Sequence, residues 1–446
     1  MGSFTGSVFP RNFRKELPFA VRGEGCWIVA ADGRRYLDAS GQAAVVNIGH
    51  GVKEIGEAMA ERAGQIAFAH TTQFHSEAAE KLASRLLALA PGNFKNGGRV
   101  YFTSGGSEAT ETAIKLARQF HLESGQAERY RVISRRQSYH GSTLGAMTVS
   151  GNVGRRAPYA PLLAKWGHIA PCFCYHCPFD KTYPDCGIAC AEDLSSFIRA
   201  NDPGSAAAFI FEPVVGATLG AAAPPDGYVQ RIAEVCREQG ILLIADEIMT
   251  GMGRTGKIFA VNHWGMEPDL ILVGKGVASG YAPLGAVLIS ARVAEVFAKG
   301  SGAFQHGFTY QAHPVATAAG NAVLDYLEQN QLFERVVSAA AQLRAALASL
   351  EAHPHVGEIR GMGLLLGVEF VQCKATREAF PKEANMAEKI RQAALEKNVL
   401  TYPSQGCVDG LRGDHVLLAP PFIISAEECS QTALALHFAL ERTFTR

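Results

Sequence analysis

The sequence predicts an α/β protein. A large domain with a mainly parallel mixed sheet is expected over residues 51–318, and a small α+β domain built from both chain ends, 1–50 and 319–446. Three observations carry this reading. The middle of the chain alternates short β-rich runs with helical stretches, the order that strand–helix–strand units produce. Several of those runs are apolar almost throughout, as strands covered on both faces are. The last third abandons the alternation, and chain termini commonly pack together.

Taken in order, residues 26–29 and 35–37 are short strand-like pieces near the start. Residues 100–102 form the first strand candidate of the large domain. A helix over 108–124 follows, because Ala109, Ala113, Leu116, Ala117 and Phe120 recur at helical spacing and make one buried stripe. Further strands are expected at 131–133, 208–211, 241–245, 270–273 and 285–289. Residues 321–350 read as one or two amphipathic helices and 363–370 as a strand. A further helix comes next, then a strand over 414–419 stopped by Pro420 and Pro421, then a closing helix.

Composition narrows the function classes. The chain has 446 residues, of which 48% are hydrophobic and 19% charged, enough apolar material for a large core. Lys plus Arg equals Asp plus Glu at 42 each, so no basic surplus exists to hold a nucleic acid or an anionic membrane. The longest apolar runs are about strand length and none reaches the roughly 20 residues of a membrane helix. The opening residues lack the apolar region of a secretory signal, and Gly6 stands where an N-myristoylation signal needs Ser or Thr. A cytoplasmic enzyme with no nucleic-acid or membrane partner is expected. Cys172, Cys174, Cys177, Cys186 and Cys190 crowd into one stretch around His176. Their spacing has the look of a zinc site, but reduced surface thiols without a metal are the expectation.

Three local features carry chemistry. Residues 102–111 run from a strand through the Gly-rich turn Gly105-Gly106-Ser107 into a helix, and unpaired N–H groups at a helix start favour phosphate. Residues 241–247 are an apolar strand that delivers Asp246 and Glu247 at its C-terminal end, where ligands of open α/β sheets sit. Residues 269–276 place Lys275 between glycines after an apolar strand, and a lysine sheltered from water can lose its proton and act as a nucleophile. Taken singly, each has an ordinary alternative: a capped turn, a solvated acid pair, a snorkelling lysine. Together a phosphate cradle, a strand-end acid and a sheltered lysine describe pyridoxal 5′-phosphate chemistry. Gly251-Met-Gly-Arg-Thr-Gly256 fits the dinucleotide fingerprint G-x-G-x-x-G, but no helical stripe follows it and no acid ends a following strand. A nicotinamide-dependent oxidoreductase is therefore the lesser reading.

At these residues the chain resembles the class III aminotransferases, the ω-amino-acid and amine transaminases of pyridoxal-phosphate fold type I. The likeness runs from about residue 15 to the C-terminus and is densest over 245–256 and 268–276. It implies that Lys275 forms the Schiff base with the cofactor and that Asp246 partners the pyridine nitrogen. Gly105, Gly106 and Ser107 match the phosphate turn, with Gly105 where the family often has Ser. Tyr139 and His140 match the element whose aromatic ring stacks on the cofactor, with Ile248 on the opposite face and Glu212 near the phenolic oxygen. Thr309 resembles the threonine that reaches the neighbouring subunit's phosphate, which implies a homodimer or dimer of dimers with shared sites.

Arg412 stands where many members carry a mobile, carboxylate-binding arginine, and Phe19 and Ala43 fall where the family contacts substrate. Two departures matter. Gln42 and Ala43 replace a bulky aromatic common in amine-preferring members, which implies a roomier or more polar pocket, and Met252 replaces a usual Phe. The implied reaction passes an amino group from an amine or ω-amino acid to an α-keto acid, pyruvate favoured, by ping-pong chemistry. A racemase, aminomutase or decarboxylating enzyme of the same fold is the alternative.

Overall fold

The computed structural model describes residues 6–444. Residues 1–5, which carry most of the lipidation reading, lie outside it.

A seven-stranded sheet organises the molecule. Its order is Arg99–Thr103, Gly285–Ile289, Leu270–Val273, Leu242–Asp246, Ala206–Phe211, Arg131–Arg135 and His168–Ile169. Gly285–Ile289 runs antiparallel to both its neighbours and the other pairings are parallel. The apolar runs are continuous because alternate residues enter two different cores. Phe209, Phe211, Leu243, Ala245, Ile271 and Val273 point into one. Ala208, Ile210, Leu242, Ile244, Leu270 and Leu272 point into the other, with Ala109, Ala113, Leu116, Ala117 and Phe120 of the helix Gly106–Glu123. The six strands expected from sequence are all present. The two-residue edge strand His168–Ile169 was not expected, being too short to show a period.

Two four-stranded sheets flank this unit. In the first, Ala20–Glu24, Trp27–Ala30 and Arg35–Asp38 form an antiparallel meander. Val399–Leu400 then pairs parallel with Arg35–Asp38, Val399 opposite Leu37 and Leu400 opposite Asp38, so segments from both halves of the chain share one sheet. In the second, Val356–Met362, Leu365–Phe370, Asp414–Leu418 and Tyr402–Gln405 pair antiparallel. The stretch 321–350 resolves into two helices, Pro314–Gln329 and Leu332–Leu347, the first opened by a proline with its fixed φ. Among the described residues no helix is long and apolar enough to cross a membrane.

Two motifs take on structural meanings here. All ten cysteines are free thiols. Cys172 is buried and accepts from Arg135 Nη1 at 2.9 Å, while Cys190 opens into the helix Ala189–Ala200. Among the described residues no group of three or more His, Cys, Asp or Glu side chains converges as a metal site would require. The turn 251–256 enters no helix; a short 3-10 turn, Ala260–His263, comes after it. Its arginine has another use. Arg254 is fully buried and donates to the carbonyls of Leu364 at 3.1 Å and Pro420 at 2.5 Å and to Asn47 Oδ1 at 2.6 Å. It lies over the Phe422 ring at 4.7 Å, and burial pushes it down to about 9. One guanidinium thus ties the N-terminal segment, the second flanking sheet and the Pro420 turn to the end of the central sheet.

Arg254→Met leaves three buried acceptors unpaired, and the variant should lose about 2–4 kcal/mol of stability. Denaturant unfolding checks it. A loss below about 0.5 kcal/mol, the size of a neutral surface change, would show that the clamp carries no strain.

Candidate active site

The site forms where the parallel strands end. Leu242–Asp246 and Leu270–Val273 are neighbours, and Asp246 lies opposite Leu272, three residues before Lys275. The carboxylate and the amine therefore leave one sheet edge side by side. Between the edge and the lysine, Gly274 is extended at φ −169°, while Lys275 itself takes the left-handed φ of +43°. That conformation costs a non-glycine residue roughly 1 kcal/mol, and such strain collects at functional sites. The neighbouring glycines leave little room for a side chain: a Cβ on Gly276 would clash with Asn47 Nδ2 at 2.3 Å, and one on Gly274 would press on the end of the Ile248 side chain at 3.0 Å.

Lys275, Asp246, Gly106, Ser107, Tyr139, His140, Glu212 and Ile248 line one cavity of about 200 Å³. Eight residues named from the sequence, drawn from segments up to 169 positions apart (275 minus 106), meet there. Gly105 sits just outside as the cap of the helix that follows. The Lys275 amine is pushed down to about 8, chiefly by burial, although Asp246 and Glu212 pull the other way. A substantial fraction of it is therefore neutral near physiological pH, as a proton carrier at carbon needs.

Asp246 is fixed at both oxygens. Oδ2 accepts from His140 Nδ1 at 2.6 Å and Oδ1 from the Ile248 amide at 3.1 Å. This leaves the buried His140 Nε2 without a protein partner. Glu212 accepts from the amides of Tyr139 and Gly216, each at 3.2 Å, and burial raises its carboxyl above the usual range.

The helix Gly106–Glu123 aims its first turn at the cavity. Ser104 N–H is already taken by Glu108 Oε2 at 2.8 Å, which leaves the amides of the first turn itself free for an anion. Gly141, at φ +137°, lets its chain pass beside Ser107, where a Cβ would lie 2.6 Å from Oγ. Ser107 Oγ in turn accepts from Ser142 N at 3.0 Å. The parts fit pyridoxal 5′-phosphate: an anion-ready helix start, an amine, a carboxylate held rigid, and a flat slot between the aromatic Tyr139 and the aliphatic Ile248.

Other sequence-named residues lie elsewhere on this chain. Thr309 is exposed in the loop after Phe308 and lines no part of its own chain's cavity. Phe19 is 82% exposed. Arg412 is exposed and held by Asp409, its Nε donating to Oδ2 at 2.7 Å. Ala43 belongs to a left-handed turn in which Gly41, Gln42, Ala43 and Ala44 have φ of 55°, 50°, 68° and 58°. Asp38 steadies the turn by accepting from Ser40 Oγ at 3.0 Å and the Gln42 amide at 3.2 Å. Ala44 packs in one cluster with Val214, Ala217 and Met249, all three of which line the cavity.

Sequence reasoning missed Val214, Ala217, Met249 and Thr250. The signal lay beside the residues it chose, since Met249 and Thr250 directly follow Ile248 and Val214 follows Glu212-Pro213. It also missed Arg155, whose guanidinium lies over the Tyr139 ring at 4.6 Å and reaches Tyr402 Oη at 3.5 Å. Its positive charge bears on the Lys275 amine and helps to lower it.

Comparison with known proteins follows the geometry. A family model for class III aminotransferases matches residues 8–440. An uncharacterized aminotransferase of Schizosaccharomyces pombe is 38% identical over 429 residues, 96% of this chain and 93% of that one. An (S)-enantioselective ω-transaminase from Thermomicrobium roseum superposes with a TM-score of 0.91 at 38% identity, covering 98% of this chain and 97% of the other. A PLP-bound amine transaminase from an uncultivated Pseudomonas species gives 0.90 at 34% identity over 99% of both chains.

Because the amine is held below its unfolded value near 10.5, the unfolded chain binds the extra proton more readily between about pH 8 and 10.5. Stability of the cofactor-free protein should rise with pH across that window. Lys275→Met should be more stable than the parent at pH 7 by on the order of 3 kcal/mol, and the gap should close as pH passes about 10. Denaturant melts of the two cofactor-free proteins at pH 7 and pH 10 measure it; equal stability at pH 7 contradicts the burial argument.

Proposed function

The chain belongs to the class III aminotransferases and is a pyridoxal-phosphate-dependent transaminase, and on that premise we propose that its amino donor is a carboxylate-bearing ω-amino acid. The acceptor is an α-keto acid, pyruvate by preference, and the two substrates use the site in turn in a ping-pong cycle. The observation that carries this reading is Arg155. It stands over Tyr139, a wall of the cavity, and among the described residues it pairs with no carboxylate. A planar guanidinium there suits a substrate carboxylate held bidentately. Arg412 is already engaged by Asp409 and would have to leave it to serve the same role.

Bound in the cavity, pyridoxal 5′-phosphate supplies an aldehyde that condenses with amines and a ring that takes up the electron pair left when a proton departs. The chain does the rest. The amides of Gly106 and Ser107 would hold the phosphate at the helix start. Tyr139 and Ile248 would lie against the two ring faces. Asp246, anchored by His140 Nδ1 and the Ile248 amide, would face the pyridine nitrogen. Lys275 Nζ would carry the proton between the substrate carbon bearing the nitrogen and the other side of the site, one amine serving as base and acid.

We place the second subunit of a homodimer, or dimer of dimers, over the exposed faces that hold Thr309 and Phe19. Tyr310, 63% exposed next to Thr309, supports a covered rather than a free surface. The division at 51–318 and a cytoplasmic setting belong to the same reading.

Lys275→Ala should lose the visible cofactor absorbance and turnover together. With an ω-amino acid and no keto acid the parent should stall after a single half-reaction; sustained turnover would point to a racemase or mutase instead. Arg155→Leu should raise KM for an ω-amino acid at least about tenfold while leaving kcat/KM for a neutral amine unchanged or higher. Equal losses on both substrates would remove Arg155 from carboxylate recognition.

A further inference from the structure

A second cavity, of about 610 Å³, lies on the other side of the turn that carries Tyr139 and shares no lining residue with the first. Its walls include Arg136, Arg156, His168 and Asp409. Gln137 closes one side by donating from Nε2 to the carbonyls of Gly406 at 3.2 Å and Cys407 at 2.7 Å, which pins the 406–409 loop to the central sheet.

The charges on this wall do not cancel. Arg156 ends the short helix Val153–Arg156, half-buried, with no ion pair among the described residues and with Nε wholly enclosed and unpartnered. Arg136 likewise has neither an ion pair nor a side-chain hydrogen bond among the described residues. Both arginines line this cavity together with His168, and both charges act on its ring. His168 adds no charge of its own: burial and these arginines push it down to about 4, and its Nε2 lies 3.0 Å from the Ser150 carbonyl. Asp409 is the one acid on the wall, and it is spent. Oδ1 accepts from the amides of Leu411 at 2.9 Å and Arg412 at 2.7 Å, and Oδ2 from Arg412 Nε. Two arginines thus line one cavity with no carboxylate left to neutralise them among the described residues, an arrangement that suits an anion from outside.

We propose that this cavity is an oxyanion site, in which Arg156 and Arg136 together hold a phosphate or carboxylate group of a second ligand distinct from the transamination substrates. The terminal nitrogens of Arg156 offer the donors that such a group accepts from, and the exposed Arg136 adds a second cation from the solvent side.

The test uses the holoenzyme, so that the helix start at Gly106 and Ser107 is already occupied. Calorimetric titration with inorganic phosphate and, separately, with malonate at low ionic strength should show a saturable site per chain that persists in Arg155→Leu, so that it is told apart from carboxylate binding in the first cavity. Arg156→Met and Arg136→Gln should each weaken it about tenfold or more, and Arg156→Lys by less than Arg156→Met. Arg136 is exposed, so its variant folds even if the Arg156 variants do not. Tighter phosphate binding assigns the site to a phosphorylated ligand, and tighter malonate binding to a carboxylate ligand. No saturable uptake of either anion, or affinities unchanged in both the Arg136→Gln and Arg156→Met proteins, overturns the proposal. The readout is binding alone, so it stands apart from whether Arg155 selects ω-amino acids.

Discussion

The structure depends on an amine kept out of water at the end of a parallel sheet. Lys275 would be solvated and cationic on an ordinary surface. Here burial opposes its charge, and the carboxylates of Asp246 and Glu212 restore only part of it. The compromise leaves an amine that exchanges protons near neutral pH, and much of the surrounding architecture serves to hold that balance. Asp246 cannot drift towards the amine because His140 and the Ile248 amide hold both its oxygens. The backbone bends into a left-handed residue at Lys275 itself, with glycines on both sides where larger residues would crowd Asn47 and Ile248.

Buried arginines do the corresponding work between layers. Arg254 binds three segments at one corner. Arg360 performs a similar task at another, donating to the Leu219 carbonyl from Nε at 3.0 Å and to Glu369 Oε2 at 2.6 Å, while His176 meets the other oxygen of Glu369 at 2.6 Å. His415 Nε2, 2.9 Å from the Ala217 carbonyl, steadies the same loop, and Ala217 is a wall of the cavity. In this way the second flanking sheet positions a wall of the cavity. It does so with charged hydrogen bonds, whose directions are fixed, where apolar contacts would let the loop slide.

The cysteine-rich segment belongs to this scaffold. Cys172 accepts from Arg135, whose Nη2 also donates to the Glu212 carbonyl at 2.5 Å, and Phe173 lies under the Arg360 guanidinium at 4.6 Å. Cys172 and Phe173 are thus partners of two structural arginines. The cysteines lie on and beside a loop that leads from the edge strand His168–Ile169 to the helix Ala189–Ala200.

What the sequence determined by itself was local and chemical. Apolar runs revealed the central strands because both faces of that sheet are covered, and the stripe in the helix Gly106–Glu123 revealed which face it buries. Lys275, Asp246 and the Gly106-Ser107 turn stood out in the sequence as particular residue types at strand and helix ends, and all of them line one cavity. Tertiary structure alone decided the pairings between distant segments. The bond from His140 to Asp246, the place of Arg155 above Tyr139 and the enclosure of Arg254 depend on where strands bring groups that are 16 to 207 positions apart in the chain (155 minus 139; 254 minus 47). Hydrophobic periodicity carries no information about such directions, since an arginine facing water and one facing a buried carbonyl are written with the same letter.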